Sequence, residues 1–210
     1  MKELSECIFL MVSNGAFLLP IARVFNLQFY MQSFVSSLCF IASTVYHIVD
    51  FTKDAPIDTF GKIDKFFAIS TAPIMLSTLV VHRCVSERSI GIYNSSYFGR
   101  SMNYVYLFIM VANFVMVLLI DRYNIILDFV AIGETVFCCF VAWAVLGLGS
   151  SENKSNIYLV FFVVAFLFGL GEYYVEDISG CINTYQSMSC TLTHSLWHIL
   201  VAVAFWYGML

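Results

Sequence analysis

Within its last apolar run the chain reads Thr193-His194-Ser195-Leu196-Trp197-His198. Residues four apart on a helix share a face, with Cβ atoms about 5–6 Å apart. That spacing lets two imidazoles grip one metal ion. Ser43 and His47 repeat it at the far end of the second apolar run, and Asp64 opens the third. The chain has four histidines, and three of them fall in this set. A lone histidine in an apolar stretch is ordinarily a packed polar group satisfied by its neighbours. Three that converge with an aspartate and a serine read as a metal site. Three imidazoles plus water form the ligand set of a catalytic zinc centre with one position open. Zinc brings the pKa of a bound water to about 7, giving a nucleophile at neutral pH. Asp64 would then act as base for that water, or orient a histidine from behind. Ser43, one turn before His47, could hold a substrate carbonyl or its oxyanion.

Other polar residues carry weaker signals. Glu172 and Glu176 are four apart at the end of the sixth run, followed by Asp177. They could line a pocket mouth, although a solvated helix end explains them as well. Asp50, one turn after His47, sits either behind that histidine or simply at a helix terminus. In the fifth run Glu134 lies about 9 Å deeper than Asp128 by helical rise and is expected to face the bundle interior. Asp121 and Arg122 are expected to pair with each other. His82, the fourth histidine, lies at the opposite end of the third run and reads as interfacial.

The elements that must position these residues are apolar. Of 210 residues, 60% are hydrophobic and 11% charged, and 21 are Phe. Mean hydropathy is +0.85. Soluble domains carry about 25% charged residues. The chain therefore reads as an all-α integral membrane protein with one domain, residues 1–210. A net charge of −4 without a Lys/Arg run offers no face for nucleic acid. Period-2 alternation is absent, and lipid demands that backbone groups bond internally, so strands are not expected.

Seven apolar runs are visible, at 7–25, 29–49, 63–81, 104–120, 125–148, 157–174 and 190–210. Most approach the roughly 20 residues that a spanning helix needs. Pro20 falls near the end of the first, and Pro73, in the middle of the third, is expected to kink it. Loops are expected at 50–62 and 82–102, with shorter ones at 121–123, 147–156 and 175–189. No A-x-A-like site follows the first run, so it is expected to be retained rather than cleaved. Cys7, Cys39, Cys138 and Cys139 lie in apolar runs and read as small core hydrophobes. Cys181 and Cys190 could bridge in an oxidising compartment, but spacing alone leaves that open.

Seven crossings put His47, Asp64, His194 and His198 at one side of the membrane and at similar depth. The cationic residues do not say which side. Arg23, Arg83, Arg88, Arg100 and Lys154 fall opposite the cluster, while Lys2, Lys53, Lys62, Lys65 and Arg122 fall with it. The positive-inside rule is thereby tied. N-x-S sequons at Asn94 and Asn153 lie on the side opposite the cluster, but chance sequons are common.

Ser-x3-His at the end of a second helix, Asp at the start of a third and His-x3-His in a seventh resemble the signature of the CREST superfamily. That superfamily contains alkaline ceramidases, adiponectin and progestin receptors, and the myomaker and transmembrane-protein-8 group. Ser43-Thr44-Val45-Tyr46-His47, with Asp50 after it, and the stretch from Thr193 to His198 look most like the last group. Ala16-Phe17-Leu18-Leu19-Pro20, Phe29-Tyr30-Met31 and Asp121-Arg122-Tyr123 add to the likeness, which covers essentially the whole chain. The resemblance implies zinc at His47, His194 and His198, with Ser43 and Asp64 beside it. It implies a seven-transmembrane helix bundle with an intramembrane zinc site, its N-terminus outside, its C-terminus in the cytosol and its site facing outside. Ceramidases hydrolyse lipid amides, a transmembrane-protein-8 relative cleaves a lipid ester on GPI anchors, and myomaker is a myoblast fusion protein close to this chain in length.

The expected function is zinc-dependent hydrolysis of an amide or ester bond in a membrane lipid. The alternative is a myomaker-like cell–cell fusion factor whose zinc is structural or serves lipid remodelling. The expected location is the plasma membrane or a secretory-pathway membrane. The expected partner is a substrate or bound lipid, and a homodimer is allowed.

Overall fold

The computed structural model describes residues 4–52, 57–85, 89–120, 125–146 and 188–210. Among them every regular element is a helix. In chain order these are α1 (Leu4–Asn14), a 3-10 turn (Gly15–Phe17), α2 (Leu18–Asn26), α3 (Tyr30–Thr52) and α4 (Ile57–Cys84). There follow α5 (Ile90–Ser95), α6 (Tyr97–Leu119), α7 (Ile125–Leu146) and α8 (Met188–Gly208). Among the described residues four helical stretches are long and apolar enough to cross a membrane: Leu4–Asn26, Tyr30–Thr52, Thr59–Cys84 and Tyr97–Leu119. The run expected at 157–174 lies outside the described residues, as do the loops expected at 121–123, 147–156 and most of 175–189.

The side chains are sorted as in a protein that faces lipid. On α6 the buried stripe is Met102, Tyr106, Ile109, Asn113 and Val117, a helical repeat of three and four. The opposite face exposes Leu107, Phe108, Val111, Phe114, Val115 and Leu118. Polar groups thus turn inward and apolar ones outward. An apolar exposed face of this extent suits hydrocarbon rather than water, compatible with an integral multi-pass membrane protein.

Three expected boundaries shift, each for a local reason. The first run is two helices with a 3-10 turn between them. Pro20 has no N–H to give the carbonyl four residues back, Ala16, so a regular ladder is interrupted just before it. The stretch 82–102 is largely helical rather than a loop. Ser96 caps α6, its Oγ accepting from Gly99 N–H at 3.0 Å, and α5 precedes it. The segment expected as loop 50–62 shortens, because α4 begins at Ile57 and runs unbroken through Pro73. His82, read as interfacial, lies in the last turn of α4 and is fully buried within the protein.

Contacts divide the chain into two compact units. The first comprises Met1–Arg23, Phe40–Ile57 and Ser155–Leu210. In it α1 and the 3-10 turn pack against α8. Asn14 Nδ2 donates to Thr44 Oγ1 at 2.8 Å and to the Phe40 carbonyl at 3.3 Å, tying α1 to α3. Arg23 Nε donates to the Met209 carbonyl at 2.9 Å, satisfying an acceptor at the end of α8.

The second unit comprises Val24–Cys39 and Asp58–Lys154. The α2–α3 turn closes with Phe29 N–H on the Val24 carbonyl (3.1 Å) and Gln28 N–H on the Phe25 carbonyl (2.8 Å). This is the Schellman pattern, with Gln28 at φ 66° in the left-handed position usually given to Gly. Its core gathers Val35, Ile74, Met102, Tyr106, Ile109 and Cys138. Ser77 gives its hydrogen to the Pro73 carbonyl at 2.7 Å, so Tyr106 OH donates to Ser77 Oγ at 2.7 Å. Asn113 Nδ2 donates to Glu134 Oε2 at 3.0 Å, which brings Glu134 against α6. Tyr93 on α5 is held edge-on by Phe29 and Phe98, and burial pushes its hydroxyl up to about 12, so it stays neutral.

Gly99 shows where α5 and α6 meet most closely. A Cβ there would meet the backbone of Tyr93 and Asn94, whereas a Cβ at Gly133 would meet nothing within 4 Å. Gly99→Ala is therefore expected to lower stability by about 1–3 kcal/mol, the usual range for overpacking. Gly133→Ala is expected to raise it slightly, by about 0.5–1 kcal/mol of helix propensity. Thermal unfolding of the two purified variants in one detergent checks the contrast.

Candidate metal centre

His47 comes from the last turns of α3, and His194 and His198 from the early turns of α8. The i, i+4 spacing puts the α8 pair on one face, about 6 Å apart along the axis. That face turns toward α1. His47 meets it from α3, which Asn14 holds to α1. The imidazoles converge, with ring centroids 4.4 Å apart for His194–His198, 5.1 Å for His47–His194 and 5.5 Å for His47–His198. One nitrogen from each ring lies within 4.8 Å of the other two. Tetrahedral zinc with nitrogens at about 2.0–2.1 Å needs those atoms about 3.4 Å apart. To hold zinc the rings would have to turn inward by that difference. Three neutral imidazoles are donors suited to zinc, copper, nickel or iron, and poorly suited to calcium or magnesium.

The surroundings are dry. His47 and His198 are 1% and 2% exposed, while His194 is half-buried. A ligand would approach past His194. Tyr46 tilts against His47 at 5.4 Å. Phe17 stands edge-on to His198 at 5.7 Å, and Trp197 lies against both α8 rings, at 5.0 and 5.8 Å. These aromatic walls keep water out and lower the local dielectric, strengthening any charge interaction inside.

Of the residues singled out in the sequence, His47, His194 and His198 are brought together. Ser43 is buried one turn before His47 on α3. Asp50 is half-buried in the last turn of the same helix. Asp64 does not open its helix. Because α4 begins at Ile57, Asp64 lies about 10 Å of helical rise inside it, half-buried within the second unit. Glu172, Glu176 and Cys181 lie outside the described residues, as does the pair Asp121 and Arg122.

One neighbour of the cluster has no place in the sequence reading. Ser13 on α1 is 3% exposed, and its Oγ lies 3.3 Å from His198 Nδ1. The available signal was its setting. Ser13-Asn14 is a polar pair inside an apolar run, and polar side chains in a span tend to bind neighbouring helices.

No protein-family model matches the chain, and no curated protein does. The functional reading therefore rests on the geometry and on the sequence motifs.

Protein purified in mild detergent is expected to carry one metal ion per chain by elemental analysis, and the His194→Ala/His198→Ala double variant to lose it. Full retention in that variant would remove the centre. Chelation should also lower thermal stability. An ion present at 100 times its dissociation constant contributes about 2.7 kcal/mol to the folded state, which its removal forfeits.

Proposed function

We propose that this chain is a seven-helix membrane protein of the CREST type, with zinc at His47, His194 and His198, that hydrolyses an amide or ester bond of a membrane lipid. The observation that carries the proposal is the convergence of three imidazoles in a dry interior of a chain whose outer faces are apolar. A zinc ion held there would polarise the scissile carbonyl and lower the pKa of a bound water to about 7.

The chain's own residues have distinct tasks in this reading. The three imidazoles would hold the ion, which would supply a Lewis acid and an activated water. Ser43 donates its hydroxyl hydrogen to the carbonyl oxygen as negative charge develops on it. Asp64 would serve as the base for a water at that centre, or orient a histidine from behind. Phe17, Tyr46 and Trp197 exclude bulk water. The lipid's scissile bond enters past half-buried His194. The site opens away from the cytosol, with the N-terminus on the same side and the C-terminus in the cytosol. The membrane is the plasma membrane or one of the secretory pathway.

The second reading is a myomaker-like fusion factor with a structural zinc. Its support is the likeness of Ala16-Phe17-Leu18-Leu19-Pro20 and Asp121-Arg122-Tyr123 to the myomaker and transmembrane-protein-8 group, which holds a fusion protein beside a hydrolase.

Orientation is checked with an impermeant thiol reagent on intact, reduced cells. Labelling is expected at Cys181 or Cys190 rather than Cys84, and the reverse pattern would invert the assignment. The chemistry is checked by measuring lipid hydrolysis and cell–cell fusion on the same variants. Asp64→Asn is expected to slow hydrolysis by about 10²–10⁴-fold. Ser43→Ala is expected to slow it by about 10²–10³-fold. Both should retain zinc. If the parent cleaves no lipid on a broad panel while both variants still fuse cells, the fusion reading replaces the hydrolase.

A further inference from the structure

Ser13 lies near the end of α1, on a helix that carries none of the three imidazoles. Its hydroxyl has one hydrogen and two acceptor lone pairs. Two partners stand within reach: the Leu10 carbonyl oxygen at 2.9 Å and His198 Nδ1 at 3.3 Å. The carbonyl can only accept, so it takes the Ser13 hydrogen. Toward the imidazole Ser13 then has only lone pairs to offer. The contact is a hydrogen bond only if His198 Nδ1 carries a hydrogen and donates it.

The opposite arrangement is poorer. If Ser13 gave its hydrogen to Nδ1, the Leu10 carbonyl would lose that donor and the imidazole hydrogen would sit on Nε2. Two hydrogen bonds would become one, in a place where Ser13 is 3% and His198 2% exposed. A lost bond at a buried site costs more than one at a surface. The first arrangement wins on count and on burial. It leaves Nε2 bare, with its lone pair directed away from Ser13.

We infer that Ser13 is a positioning residue for the metal centre: it fixes His198 in the Nδ1–H tautomer and so makes Nε2 the ligand atom. This rests on the metal reading above and specifies how one of its ligands is prepared. The neighbouring residue extends the same function. Asn14 holds Thr44 and the Phe40 carbonyl on α3, about one and two turns before His47. Adjacent side chains of α1 therefore reach both metal-bearing helices.

The test needs no substrate. Zinc affinity is measured by chelator competition on the purified full chain, with Co²⁺ as a spectroscopic probe of the ligand field. Ser13→Ala is expected to bind zinc about 10–100-fold more weakly, the usual cost of losing the group behind a histidine ligand. Its Co²⁺ visible bands are expected to shift. Ser13→Thr keeps the hydroxyl and is expected to restore both affinity and spectrum. Unchanged affinity and spectrum in Ser13→Ala, with His198→Ala weakened, would overturn the role of Ser13 and leave the metal centre standing. A parent that binds no zinc would overturn the centre itself. A measurement on the parent covers the case in which Ser13→Ala does not fold. With four histidines in the chain, ¹⁵N-imidazole shifts of the metal-free protein can be assigned by substitution. A protonated Nδ1 and bare Nε2 on His198 are expected, and the reverse tautomer would refute the inference.

Discussion

A polar atom left unmatched in hydrocarbon costs several kcal/mol, and the rest of this molecule answers to that constraint. The outer faces of the long helices satisfy it by carrying almost nothing polar. On the inner faces many donors are matched to acceptors across helices, although the buried hydroxyls of Ser36, Thr191 and Ser195 have no hydrogen-bond partner among the described residues. Tyr106 donates to Ser77, whose own hydrogen goes to a backbone carbonyl. Asn113 divides its amide hydrogens between Ser70 and Glu134. Ser13 and Asn14 do the same from α1. Because the lipid supplies no competing hydrogen bonds, these few pairings decide which helix faces meet. They also decide where three imidazoles can be gathered without water.

The sequence made the histidine cluster legible because the relevant geometry is local. Four residues on a helix make about one turn, so His194 and His198 declare a shared face, as do Ser43 and His47. Hydropathy made the long helices legible for a similar reason, since it sums over one element at a time. It failed where a boundary depends on a single atom. The Ser96 hydroxyl starts α6 and the missing Pro20 donor breaks the first helix, and neither changes a window average. The apolar run begins beside Asp64, so hydropathy alone puts that residue at the start of a helix. α4 instead begins at Ile57, in a polar stretch that hydropathy discounts.

Ser13 was harder still. It meets His198 across 185 residues of chain, and no local period links the two. In the sequence the pair Ser13-Asn14 is a polar interruption in an apolar run. Such an interruption marks a residue that must be matched inside the fold, without naming its partner. His82 carries the same lesson in reverse. Its place at the end of a run suggested an interface, and it is fully buried within the protein. Position along a run fixes depth, whereas the helix face fixes environment.

The metal reading and the helix packing of the first unit are one problem. Ions that bind only a folded arrangement of ligands contribute their binding free energy to folding. Here the ligands come from α3 and α8, and neither helix would place its imidazoles correctly by propensity alone. α1 supplies no ligand but contacts both, through Asn14 on α3 and Ser13 on His198. Any energy gained at an ion held there would be shared with the docking of α1, and a well-docked α1 would narrow the imidazoles toward one geometry before an ion arrived. Preorganisation of this kind matters most for a site that must keep one coordination position open. A centre with four protein ligands is closed by its own donors. A centre with three depends on its surroundings to stop the rings from collapsing onto one another or turning away. In this chain Phe17, Tyr46 and Trp197 stand against the rings and would oppose such a collapse, and the Ser13 hydroxyl, in the role inferred for it, would oppose the rotation of His198.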